Sequence, residues 1–354
     1  MEWFDKRTAS VLITILIFIA IGAFIYGAGR VLIVFLLAIL FAYLLEPLVS
    51  RFERWNKVSR GRREIAILEI YVIICAAFAL LLILMGPRIA DESRKLVEAL
   101  PGFLQKVSSG RIVTEIGSKH GWSYNTQIHL QQFLAAHKSA ILDWVASLGA
   151  WAANIATNLI WVALIPILAI FFLKDGRAFA ERLVEAVDRY QQKRFLVGIA
   201  VDLNEMLAHY IRTQLILAAL SLAAYMGVLS LLRVPYSLAL GAIAGVLEFI
   251  PIVGPLVGAI LILGVGFLAN YHHLLIVALF LAGWRLLQDY FTSPRLMGGK
   301  LELHPLVVIF AVLVGAEVGG IIGVYLSIPA AAALHIVWRR WQRVYATEPK
   351  IKAA

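Results

Sequence analysis

The sequence predicts an all-α polytopic membrane protein with about eight transmembrane or re-entrant helical elements, two of them broken by glycine or proline. Of the 354 residues, 61% are hydrophobic and 15% are charged, whereas a soluble domain has roughly 25% charged residues. Several uninterrupted apolar runs reach the roughly 20 residues that a helix needs to cross a bilayer. Two longer runs near the C-terminus contain glycines and a glutamate, which points to a functional core there.

The basic residues indicate which ends of the spans face the cytoplasm. The formal net charge is +10, and its placement beside apolar runs favours an orienting role over nucleic-acid binding. Lysine and arginine near span ends mark the cytoplasmic side. They cluster at residues 51–63, 174–194 and 339–343. We therefore expect a multi-pass protein of the bacterial inner (plasma) membrane, with both termini in the cytoplasm and no nucleic-acid partner.

Residues 1-86 are predicted to form an N-terminal transmembrane scaffold of three spans. The apolar runs are 11–26, 31–45 and 65–85. The first run follows two basic residues and resembles a signal peptide. Because it is longer than a typical signal-peptide core, we expect a signal anchor that is retained.

The middle of the chain alternates between polar and apolar character. Residues 87-143 mix charged residues with apolar residues at near-helical spacing, which predicts an extracytoplasmic insert of amphipathic helices. Residues 144-173 contain the fourth span, and residues 174-212 have the pattern of a cytoplasmic interfacial helix. We expect residues 213-338 to form a C-terminal transport core and residues 339-354 to form a cytoplasmic tail.

The predicted transport core contains two apolar segments, 236-269 and 306-338, that are too long for single spans. A helix of more than about 30 residues measures about 45 Å or more, which exceeds the roughly 30 Å thickness of the hydrocarbon layer. Each segment is therefore either one tilted, kinked helix or a re-entrant hairpin of two half-helices. Half-helices of about 12 to 15 residues fit the bilayer better.

The first break has the sequence LEFIPIVGP and contains Glu248, Pro251, Gly254 and Pro255. The prolines remove backbone donors, while Gly254 permits unusual dihedral angles and close backbone approach. The freed backbone groups cannot face lipid. This turn is therefore expected to be buried in protein or to line a wet cavity.

The second break has a similar composition without proline. It contains Glu317, Gly319 and Gly320, and a proline opens each segment, Pro235 in the first and Pro305 in the second. Paired interruptions of this kind point to the binding site of a transporter, which is commonly built from inverted repeats. We therefore assign the candidate transport site to the two breaks, and an inverted repeat is one explanation of their likeness.

Each break has an acidic residue at the end of its first half-helix. Glu248 or Glu317 adds a full charge to the negative end of a helix dipole, which favours a cation or a bound proton. Either residue could couple transport to an ion, or each could cap amides of a neighbouring break and be structural. Between the breaks, Arg285 and Asp289 lie four residues apart, with Gln288 beside them. A mutually satisfied ion pair and direct contact with substrate are both open for these residues.

No motif of an enzyme or of an ATP-driven pump occurs in the sequence. The patterns GxxxxGK[ST], HExxH, GxSxG and CxxC do not occur, so we expect neither ATP hydrolysis nor catalysis. The single cysteine, Cys75, lies in an apolar run. His209, His304 and His335 lack metal-ligand spacing, so we expect no metal or cofactor site.

Three motifs carry a resemblance that covers nearly the whole chain. They are FFLKDG at 171–176, RVPYSLALGAIAGVLEFIPIVGPLVGAI at 233–260, and QDYFTSPRLMGGKLELHPLVVIFAVLVGAEVGGIIGVYLSIP at 288–329. The sequence is similar to the autoinducer-2 exporter family, also called the PerM-like permeases. The matching motif positions are Asp175, Glu248, Pro251, Gly254, Pro294, Gly299, Pro305, Gly320 and Pro329. Gln214 also matches, whereas Thr213 replaces a glycine that usually precedes it.

The resemblance implies an inner-membrane exporter of small molecules that forms a homo-oligomer, with a pentamer as one form. Members are associated with export of autoinducer-2 and some with cation/proton antiport. We therefore expect a secondary transporter that exports a small polar organic molecule such as autoinducer-2 and uses a proton or cation gradient. The alternatives are a passive channel or cation/proton antiporter, and a structural or regulatory envelope protein that binds partners through residues 88–138.

Overall fold

A computed structural model of the chain describes residues 6–55, 61–109, 113, 117, 123–137, 139–140, 143, 159–187, 190–297 and 303–345. Within those residues every regular element is a helix, which confirms the predicted all-α class. Some predicted features lie outside the described residues. They include part of the basic cluster at 56–60, much of the predicted insert between 110 and 142, the first part of the fourth span at 144–158, the motif residue Gly299 and the end of the tail at 346–354.

The helices are numbered in chain order. They are α1 (Lys6–Gly27), α2 (Gly29–Trp55), α3 (Arg63–Ser108), α4 (Tyr124–Ala136), α5 (Leu159–Glu185), α6 (Tyr190–Leu231), α7 (Ser237–Leu247), α8 (Val253–Leu268), α9 (Leu274–Leu287), α10 (Ser293–Met297) and α11 (Pro305–Tyr345), with a π-helical turn at Gln288–Thr292 between α9 and α10. Five described stretches are long and apolar enough to cross a membrane: Gly29–Trp55, Arg63–Val107, Gln192–Leu231, Leu274–Leu296 and Pro305–Arg343. The chain is therefore a multi-pass membrane protein.

The chain divides into two compact units. The first consists of Met1–Ile70 and Asn154–Leu183, and the second consists of Tyr71–Ala153 and Val184–Ala354. Both predicted breaks therefore belong to the second unit.

In the first unit, Glu46 joins three helices by ion pairs. Its Oε2 atom contacts Nη2 of Arg63 at the start of α3, and its Oε1 atom contacts Nη2 of Arg177 in α5, both at 2.5 Å. Arg63 also donates from Nε to the carbonyl oxygen of Leu173 at 2.6 Å. The side chains of Glu46 and Arg63 are partly buried, so salt screens their attraction less than it screens an exposed pair.

Three helices extend beyond the limits that hydropathy predicts. Helix α3 continues through the expected boundary at 86/87, and α5 continues past the expected end of the fourth span at 173. Helix α6 runs without a break from the predicted interfacial helix into the predicted transport core. A helix satisfies its own backbone groups in lipid and in water. Hydropathy therefore marks where the surroundings change and not where a helix ends.

The first broken segment is a hairpin of α7 and α8, which we term hairpin 1. A Cβ atom placed on Gly254 would lie 1.8 Å from the carbonyl oxygen of Leu247, and one on Gly258 would lie 3.1 Å from the Cβ atom of Ala244. Later positions in α8 thus meet earlier positions in α7, so the two helices are antiparallel. Only glycine fits at position 254, because any side chain there would collide with backbone.

The second broken segment, α11, is also a hairpin, which we term hairpin 2. Its chain reverses at Gly320, where φ is 56° and ψ is −138°. A Cβ atom on Gly315 would lie 2.4 Å from the carbonyl oxygen of Gly323 and 2.9 Å from the Cβ atom of Ser327. Residues eight apart in a straight helix are about 12 Å apart. Both broken segments are therefore hairpins and not kinked single helices, while the inverted repeat stays a prediction.

The core of the second unit surrounds hairpin 1. Buried apolar side chains from α3, α6 and α9 pack with those of α7 and α8, and include Leu96, Phe103, Leu229, Leu240, Ala244, Ile262, Val265, Val277 and Leu281. The end of α3, which the sequence assigns to the polar insert, therefore contributes to this core. Close van der Waals packing of these side chains holds hairpin 1 in place, because within lipid it is packing and not removal from water that favours helix association.

Glu92 of α3 caps the start of hairpin 1. Helix α7 begins at Ser237, after Tyr236 in a left-handed conformation (φ 58°) that provides no side-chain cap. The Oε2 atom of Glu92 accepts hydrogen bonds from the amides of Leu238 at 2.8 Å and Ala239 at 3.1 Å. A carboxylate satisfies such free amides and interacts favourably with the positive end of the helix dipole.

Candidate functional site

Glu248 is the buried carboxylate of hairpin 1. It lies at the C-terminal end of α7 and is 3% exposed. The Tyr225 hydroxyl of α6 donates to Oε2 at 3.2 Å, and Nη1 of Arg285 in α9 lies 3.6 Å from Oε1. A buried carboxylate is tolerated when it has such partners. Glu248, which the sequence predicts as a site residue, therefore has one hydroxyl donor and one cationic partner.

Arg285 lies between two carboxylates. Its Nε atom donates to Oδ2 of Asp289 at 2.8 Å, while Nη1 faces Glu248. The side chains of Arg285 and Asp289 are 41% and 46% exposed, and that of Glu248 is 4% exposed. We term these three residues the charge cluster, which runs from a buried end to an exposed end. The Arg285–Asp289 ion pair that the sequence spacing allows is present, and Glu248 contacts the same guanidinium.

Gln214 of α6 holds the turn of hairpin 1. Its Nε2 atom donates to the carbonyl oxygens of Glu248 at 2.7 Å and Phe249 at 3.1 Å. Carbonyl groups at a helix end lack helical partners, and leaving one buried without a donor costs about 1–3 kcal/mol. Gln214 therefore stabilises the end of α7. Among the described residues, the side-chain oxygens of Glu248 contact Tyr225 and Arg285 and no backbone amide.

The remaining break residues of hairpin 1 shape the backbone. Pro251 lies in the turn, and Pro255 lies in the first turn of α8, where a missing amide leaves no helical bond unmade. Ile252 between them has a φ of 66°, which is uncommon for a β-branched residue. Gly254 is buried against the end of α7. The turn is therefore tightly constrained by its neighbours.

Gln288 bonds to α6 and is not part of the charge cluster. It is buried, and its Nε2 atom donates to Oγ of Ser221 at 2.6 Å. Nε1 of Trp284 donates to the same oxygen at 3.0 Å. Gln288 also begins the π-helical turn, a rare conformation that is frequent at functional sites. Its position next to Asp289 in the chain places this turn at the exposed end of the charge cluster.

The predicted site residues of hairpin 2 are more open. Glu317 is exposed, and within the described residues it has no hydrogen bond or ion pair. A Cβ atom on Gly319 or Gly320 would meet nothing within 4 Å, although the positive φ of Gly320 favours glycine. The structure therefore brings Glu248, Arg285 and Asp289 together and does not bond Glu317 to them.

Aromatic rings connect the two hairpins. Phe249, in the turn of hairpin 1, stacks on Tyr325 of hairpin 2 with ring centroids 5.1 Å apart. The backbone carbonyl of Tyr325 accepts a hydrogen bond from the Tyr210 hydroxyl of α6 at 3.1 Å. Helix α6 therefore contacts both hairpins close to the candidate site.

In the sequence, Gln214 stands out only as a family-motif match, and the other contributions of α6 to this site are not identified. Gln214 and Tyr225 bond to residues of hairpin 1, and Ser221 bonds to Trp284 of α9 and to Gln288 of the π-helical turn. The spacing of the three α6 residues, seven and four positions, places them on one helix face. That pattern of polar groups inside an apolar helix is the signal that could have indicated them.

The site offers oxygen and nitrogen groups to a small ion or molecule. Within the described ranges, no three His, Cys, Asp or Glu side chains are grouped so that they could hold a metal ion. The charge cluster provides two carboxylates for one guanidinium. With all three ionised it carries an excess negative charge, which suits a proton or a monovalent cation.

Comparison with known proteins gives one family over most of the chain. The sequence model described as AI-2E family transporter matches residues 13–343. YrrI of Bacillus subtilis (strain 168), named as a candidate transport protein, is 25% identical over 310 residues, which cover 87% of this chain and 86% of YrrI. PerM of Escherichia coli (strain K12), named as a candidate permease, is 26% identical over 358 residues, 96% of each chain. The family match includes both hairpins.

Proposed function

The chain belongs to the AI-2E family of transporters, and from this membership we propose that it is a secondary transporter that exports a small polar organic molecule such as autoinducer-2. In this proposal hairpin 1 forms the transport site, and the charge cluster couples export to a proton or monovalent-cation gradient. The observation that carries the proposal is the buried carboxylate of Glu248 at a helix break.

A buried carboxylate at a helix break in a transmembrane region indicates a functional role. Ionisable side chains within transmembrane segments are rare, and they mark ion and substrate pathways. Broken helices are tolerated at membrane depth where they line a cavity or are buried in protein. Glu248 combines both features, since it lies next to the hairpin turn and pairs with Arg285.

Arg285 supports coupling because its guanidinium contacts both Glu248 and Asp289. Its contact with Asp289 is shorter than its contact with Glu248, 2.8 Å against 3.6 Å. When Glu248 takes up a proton or binds a cation, Arg285 keeps Asp289 as its partner. The guanidinium is therefore not left without a counter-charge, which lowers the energy needed for Glu248 to change its state.

We extend the proposal to the setting of the protein. The basic clusters beside the apolar runs support a place in the bacterial inner membrane with both termini in the cytoplasm. The proposed partners are the lipid bilayer, the exported molecule, a proton or monovalent cation, and further copies of the same chain in a homo-oligomer such as a pentamer. No step of this transport requires an enzymatic activity.

A cation/proton antiporter is the second candidate function. The charge cluster alone contains what such exchange needs, namely a buried carboxylate that a proton and a cation can occupy in turn. In an antiporter, addition of sodium or potassium collapses a proton gradient with no organic molecule present. In the exporter, the gradient falls only when the organic substrate is added.

The test uses the purified full chain in proteoliposomes that contain a pH-sensitive dye, with autoinducer-2 as the probe substrate. Glu248→Gln keeps the size of the side chain and an acceptor for Tyr225 but cannot release a proton. We expect wild-type protein to move autoinducer-2 faster when a proton gradient is imposed, and the Glu248→Gln variant to lose this acceleration.

Glu317→Gln is the matched control, since it makes the same change at an exposed glutamate without a described partner. It should keep the response to the gradient. The coupling role is wrong if Glu248→Gln responds as the wild type does. The transporter proposal itself is wrong if planar bilayers show currents far above transporter turnover, which indicates a channel.

A further inference from the structure

A groove of about 750 Å³ opens in the second unit between α3, α6 and α7. Its walls are mainly apolar and include Leu81 and Met85 of α3 and Leu222 and Met226 of α6. The volume falls within the roughly 300–1,000 Å³ that is usual for ligand sites. Of hairpin 1 only the start of α7 lines the groove. Neither the charge cluster nor the turn of hairpin 1 lines it, so the groove lies apart from the proposed coupling residues.

One end of the groove is polar. Arg88 and Glu92 line it from α3, and Ser230 and Ser237 line it from α6 and α7. The two serine hydroxyls are 3.2 Å apart and hydrogen-bonded, and Glu92 bonds to two amides of α7. Arg88 is exposed, and in the part of the chain that the structure describes it has no ion pair or hydrogen bond. The carboxylate of Glu92 is thus bonded to backbone amides, while the guanidinium of Arg88 is available to an anionic ligand.

Arg88 lies at the end of the apolar run of α3, where a lipid headgroup is expected. The apolar run of α3 ends at Met85, and Gly86 and Pro87 separate it from Arg88. Arginine at the end of a transmembrane run reaches the interface between hydrocarbon and water. The apolar walls continue from this point into the membrane-spanning part of α3 and α6.

We propose that this groove binds one phospholipid with an anionic headgroup, whose phosphate contacts Arg88 and whose acyl chain lies along the apolar walls. The guanidinium of Arg88 suits a negatively charged headgroup, and the apolar walls suit an acyl chain, so the groove as a whole suits an anionic amphiphile. A small polar solute matches only the headgroup end. A lipid held here would contact α3 and the first turn of α7, and so would support the junction that Glu92 makes with hairpin 1.

The first test measures lipid retention by native mass spectrometry on delipidated full-length protein. The protein is titrated with phosphatidylglycerol or with phosphatidylcholine. We expect one phosphatidylglycerol to bind more tightly than phosphatidylcholine. Arg88→Gln should weaken phosphatidylglycerol binding about fivefold, as expected for loss of one basic residue near a membrane surface. Arg94→Gln, which changes an exposed arginine of the same helix outside the groove lining, should leave it unchanged.

The second test fills the groove. Gly227 lines it, and a Cβ atom placed there would meet nothing within 4 Å. Gly227→Phe should therefore fold, keep the oligomeric state and lose retention of both lipids. Phosphatidylglycerol binding that neither Arg88→Gln nor Gly227→Phe weakens would overturn the proposal. Dissociation of an oligomer by Gly227→Phe would also overturn it, because the groove would then be a contact between copies of the chain.

Discussion

The ring of Phe249 stacks on the ring of Tyr325 at an interplanar angle of 20°. Phe249 follows Glu248 directly, and Tyr325 lies five residues beyond the reversal of hairpin 2 at Gly320. The proposed coupling residue is therefore next in the chain to the side chain that contacts hairpin 2. A movement of either hairpin would act on this stacked pair.

We predict that Phe249 and Tyr325 are energetically coupled. In a double-mutant cycle with Phe249→Leu and Tyr325→Leu, the interaction energy should be about 0.5–1.5 kcal/mol, because stacked aromatic pairs contribute this much beyond burial. The measurement is unfolding of the purified protein in mixed detergent micelles. Tyr325→Phe retains the ring and should preserve the coupling. Strict additivity of the two leucine substitutions would contradict the prediction.

We predict that hairpin 1 does not tolerate a side chain at position 254. Gly254→Ala places a Cβ atom against the carbonyl oxygen of Leu247, and overpacking of this kind costs about 1–3 kcal/mol. The matched control is Gly264→Ala in the same helix, where a Cβ atom meets nothing within 4 Å. That variant should be more stable by about 0.5–1 kcal/mol. Thermal unfolding in detergent distinguishes the two variants, and equal melting temperatures would argue against the close approach.

We predict that Gln214 stabilises the hairpin turn through its amide group. Gln214→Met keeps the length of the side chain but removes the donor to Glu248 and Phe249, which should destabilise the protein by about 2–3 kcal/mol. Gln132→Met makes the same change at an exposed position of α4 and should have little effect. The comparison is made by thermal unfolding. A similar small change in both variants would show that the turn does not need this cap.

We predict that Asp202 and Arg340 join α6 to hairpin 2. Two 3.0 Å hydrogen bonds link their partly buried side chains, and such bidentate pairs are stronger than single contacts. Asp202→Asn should destabilise the protein by about 1–2 kcal/mol, with a smaller effect in high salt. Asp91→Asn, which breaks the exposed Asp91–Lys95 pair, should change stability less. An equal effect of the two variants would contradict the prediction.

The hairpins were predictable because their cause is local. Gly254 and Gly320 lie where the chain needs close approach or a positive φ, and both positions are visible as interruptions of an apolar run. The helix ends in α3, α5 and α6 were not predictable from hydropathy. The backbone of a helix continues unchanged from lipid into water, so composition changed there without a structural break.

The residues that contact Glu248 could not be predicted from the sequence, because they are set by tertiary contacts. The charges of Glu248 and Glu317 look equivalent in the sequence, yet one is buried beside Tyr225 and Arg285 and the other is exposed. The distinction arises from which helix packs over each break. No local pattern encodes that information, because Tyr225 and Arg285 are 23 and 37 positions from Glu248 along the chain.

The π-helical turn at Gln288–Thr292 stores one surplus residue within an otherwise regular helix. When such a turn moves along a helix, each residue that it passes rotates by about 100° and shifts by about 1.5 Å along the axis. Asp289 lies inside this turn. A register step of one residue would therefore rotate the Asp289 carboxylate relative to Arg285 while every helix kept its length.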